Sequence, residues 1–248
     1  MIIPILHHQT IDSTNIEARR LATAGEAGPL WILAAEQTQG KGRMGRAWVS
    51  KPGNLYATLL WPTRAPQNTL SQLSFVTALA VHQAASNFAN SANITLKWPN
   101  DCLLNNAKFC GILAESIPPN LVAIGIGVNI ALQPQGLPYP VTRLEVATVD
   151  SMFEALSLSL SNYLQIWNDG AGFNKIAAAW QTRCPSIGKP ITIEAPTEAL
   201  HGIFHGLGPD GALVLRLANG QVKSFYAGDV RIGYDTPHEQ KTTPQSQP

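Results

Sequence analysis

The chain has 248 residues, 45% of them hydrophobic and 13% charged, which suits one large domain with a small appendage around a well-buried core. A formal net charge of +1 gives no global electrostatic reason to bind nucleic acid, and the absence of a long uninterrupted apolar run argues against a membrane role. The opening MIIPILHHQTIDSTN lacks a cationic start followed by an apolar core, so no secretory signal is read and a cytoplasmic location is expected.

In chain order, IIPILHHQTI reads as a strand, and Asp12-Ser13-Thr14-Asn15 leads into Ile16, Ala18, Leu21 and Ala22 at helical spacing. That first helix is expected to run to about Gly25, with Thr14 and Glu17 as a capping box at its start. Trp31 to Glu36 and Asn54 to Trp61 are predicted strands on either side of a glycine-rich segment. Leu70 to Asn90 has helix-compatible alanine and leucine spacing without proline. A strand over Ile94 to Trp98, a Pro99-Asn100-Asp101 turn and a hairpin through Asn105-Asn106 into Lys108 to Glu115 follow. Leu121 to Ile130 is apolar but interrupted by glycines, the pattern of a buried strand whose backbone something approaches closely. After a proline-rich loop over Gln133 to Pro140, Ser151 with Glu154 marks a helix reaching Trp167, and Phe173 to Arg183 supplies another. Beyond Pro185 the runs Ile191 to Ile193, Ala199 to Leu207, Ala212 to Leu217 and Gln221 to Tyr226 are short and turn-separated, as in a small β-barrel. The polar tail after Tyr234 is expected to be disordered. Cys102, Cys110 and Cys184 lack C-x-x-C spacing and are read as small buried hydrophobes.

Charge is distributed unevenly. Between Gln37 and Asn100 there is no Asp or Glu, while Lys41, Arg43, Arg46, Lys51, Arg64 and Lys97 all fall there. A cationic field inside an otherwise mildly acidic protein points to a compact anionic ligand, phosphate or carboxylate. Its centre is Gln37 to Trp48. Gly40, Gly42 and Gly45 match the dinucleotide pattern G-x-G-x-x-G, but Pro52-Gly53 ends the loop and no acid appears before Asp101, so the required helix and acidic partner are missing. What remains is a loop whose backbone N–H groups and Lys41, Arg43 and Arg46 can converge on an anion. A second unit, Lys97-Trp98-Pro99-Asn100-Asp101 followed by Lys108 and Gly111-Ile-Leu-Ala-Glu115, brackets Asp101 with two lysines, near a phosphate, a metal or a nucleophile.

These two units, with Lys108 before Gly-Ile-Leu and with Gly125-Ile-Gly-Val-Asn129, resemble the biotin–protein ligases in order and spacing. The resemblance implies an α+β fold: a biotin/lipoate ligase-like catalytic domain over 1–185, with a mixed sheet and packed helices, then an SH3-like barrel over 186–234 and a tail over 235–248. It implies biotin binding by Ser13, Thr14, Asn15 and Gln37, with Lys41, Gly42, Arg43 and Lys108 contacting biotin or its adenylate. Arg46 and Lys108 are then near the carboxylate and phosphate, and Trp48 is a hydrophobic cover. Asn100, Asp101 and Asn129 lie near the nucleotide, with Asp101 a metal ligand or base. The implied substrates are ATP and biotin with Mg²⁺, and the implied partner is the biotin carboxyl carrier protein of acetyl-CoA carboxylase. Lys41 departs from the arginine of the best-known members, exchanging a planar fork for a point charge. The catalytic pattern begins at about residue 5, which leaves no room for the helix-turn-helix domain of regulatory members, so no DNA binding is expected; a monomer or homodimer is expected, with nothing in the sequence to choose between them. The rivals are a lipoate-type ligase and a non-catalytic, biotin-responsive binding protein.

Overall fold

A computed structural model of the protein describes residues 3–194 and 199–232; the expected tail over 235–248 lies outside them. In the first half, β1 (Ile5–Ile11), α1 (Thr14–Thr23), β2 (Leu30–Gln37), β3 (Leu55–Pro62), α2 (Leu73–Ala85), β4 (Ile94–Lys97), β5 (Asp101–Leu104), β6 (Ala107–Ile117) and β7 (Leu121–Val128) follow one another. The seven strands form one sheet in the order β1-β2-β3-β7-β6-β5-β4. Only β1 and β2 run parallel, so the sheet is mixed. Then come α3 (Val149–Trp167) and α4 (Phe173–Gln181). A five-stranded antiparallel sheet closes the described chain, built from β8 (Pro190–Glu194), β9 (Ala199–Leu207), β10 (Leu213–Arg216), β11 (Val222–Phe225) and β12 (Asp229–Ile232). This is the α+β architecture with an SH3-like module that was expected, except that β12 had not been predicted.

Side chains alternate across a strand, and that alternation decides where the site can lie. On β7, Val122, Ile124, Ile126 and Val128 join the main core, together with Leu55, Ala57 and Leu59 of β3 and Trp31 and Leu33 of β2. The core is roofed by α2, which is buried nearly all round, as a helix enclosed between a sheet and further helices must be. The opposite face carries Ile32, Leu60, Ile117 and Ala123 under Ala18 of α1, and then the small residues Gly111, Gly125 and Gly127. Those glycines leave room for side chains to approach the sheet backbone, as the interrupted strand had implied.

Several boundaries moved. The long helix starts at Leu73, because Gln67–Gln72 after Pro66 forms a 3₁₀ turn, and it ends at Ala85. The capping box of α3 is Thr148 with Ser151: the Thr148 hydroxyl accepts from Ser151 N at 3.1 Å and Ser151 Oγ accepts from Thr148 N at 3.0 Å. Ser151 is therefore the third residue of the helix, not its cap. Asn105 and Asn106 take φ of 52° and 64°, the left-handed pair a tight hairpin turn requires. All three cysteines are free and buried. Among the described residues no helix is long and apolar enough to cross a membrane.

Candidate active site

The first part of the site is a buried polar cluster where α1 begins over the glycine-bearing sheet face. Ser13, Thr14 and Asn15 are almost fully buried. Thr14 donates to Gln37 Oε1 through its backbone N at 2.8 Å and its hydroxyl at 3.1 Å. The Thr58 hydroxyl lies 2.7 Å from both Thr14 Oγ1 and Asn15 Oδ1. Asn15 Nδ2 donates to Glu115 Oε2 at 2.7 Å and to Leu113 O at 3.3 Å. Gln37 Nε2 donates to Ser50 Oγ at 2.9 Å, and Ser50 Oγ to Trp48 O at 2.9 Å. A Cβ on Gly125 would collide with Asn15 Oδ1, which is the close approach that position needs glycine for. The expected capping box of Thr14 and Glu17 does not form. Ser13 is the N-cap and makes no side-chain cap bond; the Thr14 hydroxyl faces Gln37, and Glu17 pairs with Arg20 at 3.0 Å. Tertiary partners outcompeted the local one.

The second part is the cationic segment, folded as an irregular hairpin. Gln37 bridges Ser50 and Lys41 bridges Ala47, with Trp48 N donating to Gly40 O at 2.9 Å and Gly42 N to Arg46 O at 2.7 Å. Its tip turns through Met44 at φ 54° and Gly45 at φ 73°. Lys41 is exposed. Trp48 lies across the sheet: a Cβ on Gly111 would sit 2.9 Å from its ring, and one on Gly127 would collide with its Nε1. That Nε1 is buried and unpaired, so the expected cover packs on the glycine floor.

The third part is a row of charges at the far end of that floor. Lys108 Nζ lies 2.6 Å from Asp101 Oδ1, with the rings of Trp48 and Tyr139 each 5.6 Å away, a favourable cation–π distance. Lys97 is Asp101's ladder neighbour, but Lys108 takes its carboxylate. Arg43 reaches Asn100 Oδ1 at 3.4 Å, and Asn100 Nδ2 donates to Ile112 O. Burial is the largest influence on Arg43 and lowers its pKa, opposed by Asp229 and Asp101; among the described residues no carboxylate is bonded to this half-buried guanidinium, and a charge so placed favours an anion beside it. Arg46 turns to the C-terminal module, bonding both oxygens of Asp229 at 3.1 Å, and that hydrogen bond raises its pKa. Asn129 is buried and donates to Thr142 O at 3.1 Å. Among the described residues no three His, Cys, Asp or Glu side chains converge as a metal site.

The structure thus joins Thr14, Asn15 and Gln37 in one cluster and Arg43, Asn100, Asp101, Lys108 and Trp48 in the adjoining row. Lys41 stands outside both in solvent. Sequence reasoning missed Thr58, Ser50 and Glu115 in the cluster, and Tyr139 and Asp229 in the row. Thr58 had a signal, being a polar residue at an alternating position of an otherwise apolar strand; Asp229 had none.

Residues 8–130 match the Biotin/lipoate A/B protein ligase family and residues 186–233 match the Biotin protein ligase C terminal domain. The chain is 39% identical over 220 residues to a biotin–[acetyl-CoA-carboxylase] ligase of Paracoccus denitrificans, covering 83% of this chain and 91% of that one. It is 28% identical over 242 residues to the bifunctional ligase/repressor BirA of Bacillus subtilis, covering 92% of this chain and 74% of the relative. In fold it is similar to the biotin protein ligase from Aquifex aeolicus solved with biotin and ATP, at a TM-score of 0.79 and 23% identity over 93% of this chain and 99% of that one.

Proposed function

The chain belongs to the biotin/lipoate A/B protein ligase family and is an ATP-dependent biotin–[acetyl-CoA-carboxylase] ligase, and from that premise we propose how its own residues divide the work. Biotin's carboxylate oxygen attacks the α-phosphorus of ATP, forming biotinyl-adenylate and releasing pyrophosphate; the ε-amine of an acceptor lysine then attacks the acyl carbon, and AMP leaves. Two negatively charged reactants must first be brought together.

The observation that carries the assignment is the layout of the floor, with a buried polar cluster at one end and cations at the other. Thr14, Gln37, Thr58 and Ser50, bonded to one another in this structure, can exchange those bonds for ones to a polar, uncharged head group. Ser13 and Asn15 shape that cluster, since the Asn15 amide is already engaged by Thr58, Glu115 and Leu113 O. Trp48 fills the space over Gly111 and Gly127, so an apolar chain lies along the floor beside its ring or displaces it. Arg43 and Lys108 offset the charge that accumulates as the carboxylate meets the phosphates. Arg46, Gly42 and Lys41 belong to the hairpin that carries Trp48, Asn100 orients Arg43, and Asn129 braces the adjoining loop on the nucleotide side.

Asp101 is committed to Lys108, so its role is to orient that ammonium, not to take a proton from the acceptor lysine. Mg²⁺ would enter with the ATP phosphates, since magnesium is usually held by one or two carboxylates plus substrate phosphates; Asp101, bonded to Lys108 through Oδ1, would have to share its carboxylate to hold it. The acceptor is a biotin carboxyl carrier domain. We assign 1–185 to catalysis and 186–234 to the barrel that anchors Arg46. Incubation with ATP, biotin and apo-carrier domain should label one carrier lysine. No label, or labelling only with lipoate, would overturn the assignment.

A further inference from the structure

One buried side chain outside these assignments has four partners in a single loop. Asn54, immediately before β3, is only 4% exposed. Its Oδ1 accepts from three consecutive backbone N–H groups, Ile130 at 2.9 Å, Ala131 at 3.0 Å and Leu132 at 3.0 Å, and its Nδ2 donates to Leu132 O at 2.8 Å. These are the groups through which the chain leaves β7 for the proline-rich segment. Ala131 N also points at Gly53 O at 3.3 Å, and a Cβ on Gly53 would lie 2.9 Å from Ala131. Gly53 and Asn54 thus end the cationic hairpin's connection and grip the root of the second loop.

The same loop docks on Lys108. Lys108 N donates to Pro140 O at 2.9 Å, Thr142 N donates to Lys108 O at 2.9 Å, and the Tyr139 ring flanks Lys108 Nζ at 5.6 Å. Arg143 also bonds Ala131 O. With the return of the loop fixed by Asn129 to Thr142 O and its departure fixed by Asn54, the position of Tyr139 depends on both roots. Only an amide of this length supplies an acceptor for three donors and a donor for the fourth group. A carboxylate would keep the three N–H bonds but set an oxygen against Leu132 O.

We propose that Asn54 is a positioning residue for adenylation: by holding the root of the 130–142 loop, it keeps Tyr139 against Lys108 and shapes the phosphate side of the floor. This rests on the assignment of Lys108 to charge offset. The polar cluster that takes the biotin head group is built from other residues, so Asn54→Ala leaves biotin affinity, measured by titration calorimetry, within about twofold and raises the KM for ATP about tenfold in pyrophosphate release. Asn54→Asp, retaining three of the four bonds, falls between Asn54→Ala and the native enzyme. The variants Asn54→Ala and Tyr139→Ala act through one arrangement, so their double variant is about as impaired as the worse single one. Multiplying effects, or an equal loss of biotin and ATP binding, would make Asn54 a general scaffold residue and overturn the proposal.

Hydrogen exchange of the native protein supplies a readout that does not depend on activity. The amides of residues 130, 131 and 132 should exchange as slowly as those of β7, and faster exchange there would equally overturn the proposal, whether or not the variants fold. Absence of pyrophosphate release by the native protein would instead defeat the ligase assignment and leave the exchange result to judge the clamp.

Discussion

Replacing Lys108 by alanine separates what that side chain does for the fold from what it does for the reaction. Its ammonium is 2.6 Å from Asp101, and the two side chains are 16% and 22% exposed. Breaking a fully buried pair costs about 3–5 kcal/mol because a charge is left unpaired, whereas an exposed pair is worth about 0–1 kcal/mol. Lys108 and Asp101 lie between these limits, so Lys108→Ala should lower unfolding stability by about 1–2 kcal/mol. The catalytic loss is larger. A charge-assisted donor aimed at developing charge is worth about 2.7–4 kcal/mol, or about 10²–10³ in rate. Asp101→Asn added to Lys108→Ala removes the stranded carboxylate, so stability in urea should recover while pyrophosphate release stays depressed by about the same 10²–10³. Release within about threefold of native by Lys108→Ala, or activity returning together with stability in the double variant, would refute the charge-offset role.

The glycine floor and the interdomain contact make separate predictions. Gly125→Ala places a methyl group on Asn15 Oδ1; overpacking of this kind costs about 1–3 kcal/mol, and biotin affinity measured by calorimetry should fall with it, an unchanged affinity counting against the cluster as the head-group site. Arg46 and Asp229 are 50% and 47% exposed, so a double-mutant cycle on stability should give a coupling below about 1 kcal/mol that shrinks in salt. A coupling of about 2 kcal/mol or more would mean that the C-terminal module and the hairpin are rigidly joined. Burial pushes the Cys102 and Cys184 thiols above their ordinary pKa, which disfavours the reactive thiolate; a thiol reagent at pH 8 should react with the protein only after unfolding, and rapid labelling of the native state would contradict the packing.

What could be read from the residues in advance followed from periodicities and charge, and what could not depended on partners distant in sequence. The apolar–glycine alternation of Leu121 to Ile130 anticipated a strand with one face open to close approach, because side chains on a strand point alternately to two sides. The acid-free run from Gln37 to Asn100 anticipated the cationic hairpin, but not that Lys51 would pair with Glu36 and Arg46 with Asp229 from outside the run. The same reasoning misassigned Thr14, whose spacing to Glu17 is that of a capping box. A hydroxyl at a helix start has a local partner on offer in every sequence; here Gln37 and Thr58, on neighbouring strands, brought two better ones. Asp229 was unreadable for the same reason. It lies in a four-residue strand too short for periodicity to mark, and its partner Arg46 is 183 residues away. Arg46 itself illustrates the limit most sharply, for its charge was correctly placed in the cationic hairpin while its partner lies in the other module. To meet a phosphate it must let go of Asp229, and the exposure of both side chains keeps that exchange within about 1 kcal/mol. On the proposed assignment, the anion field would be divided between Arg43 and Lys108, held in place by Asn100 and Asp101, and one cation at the hairpin tip whose allegiance the ligand can change.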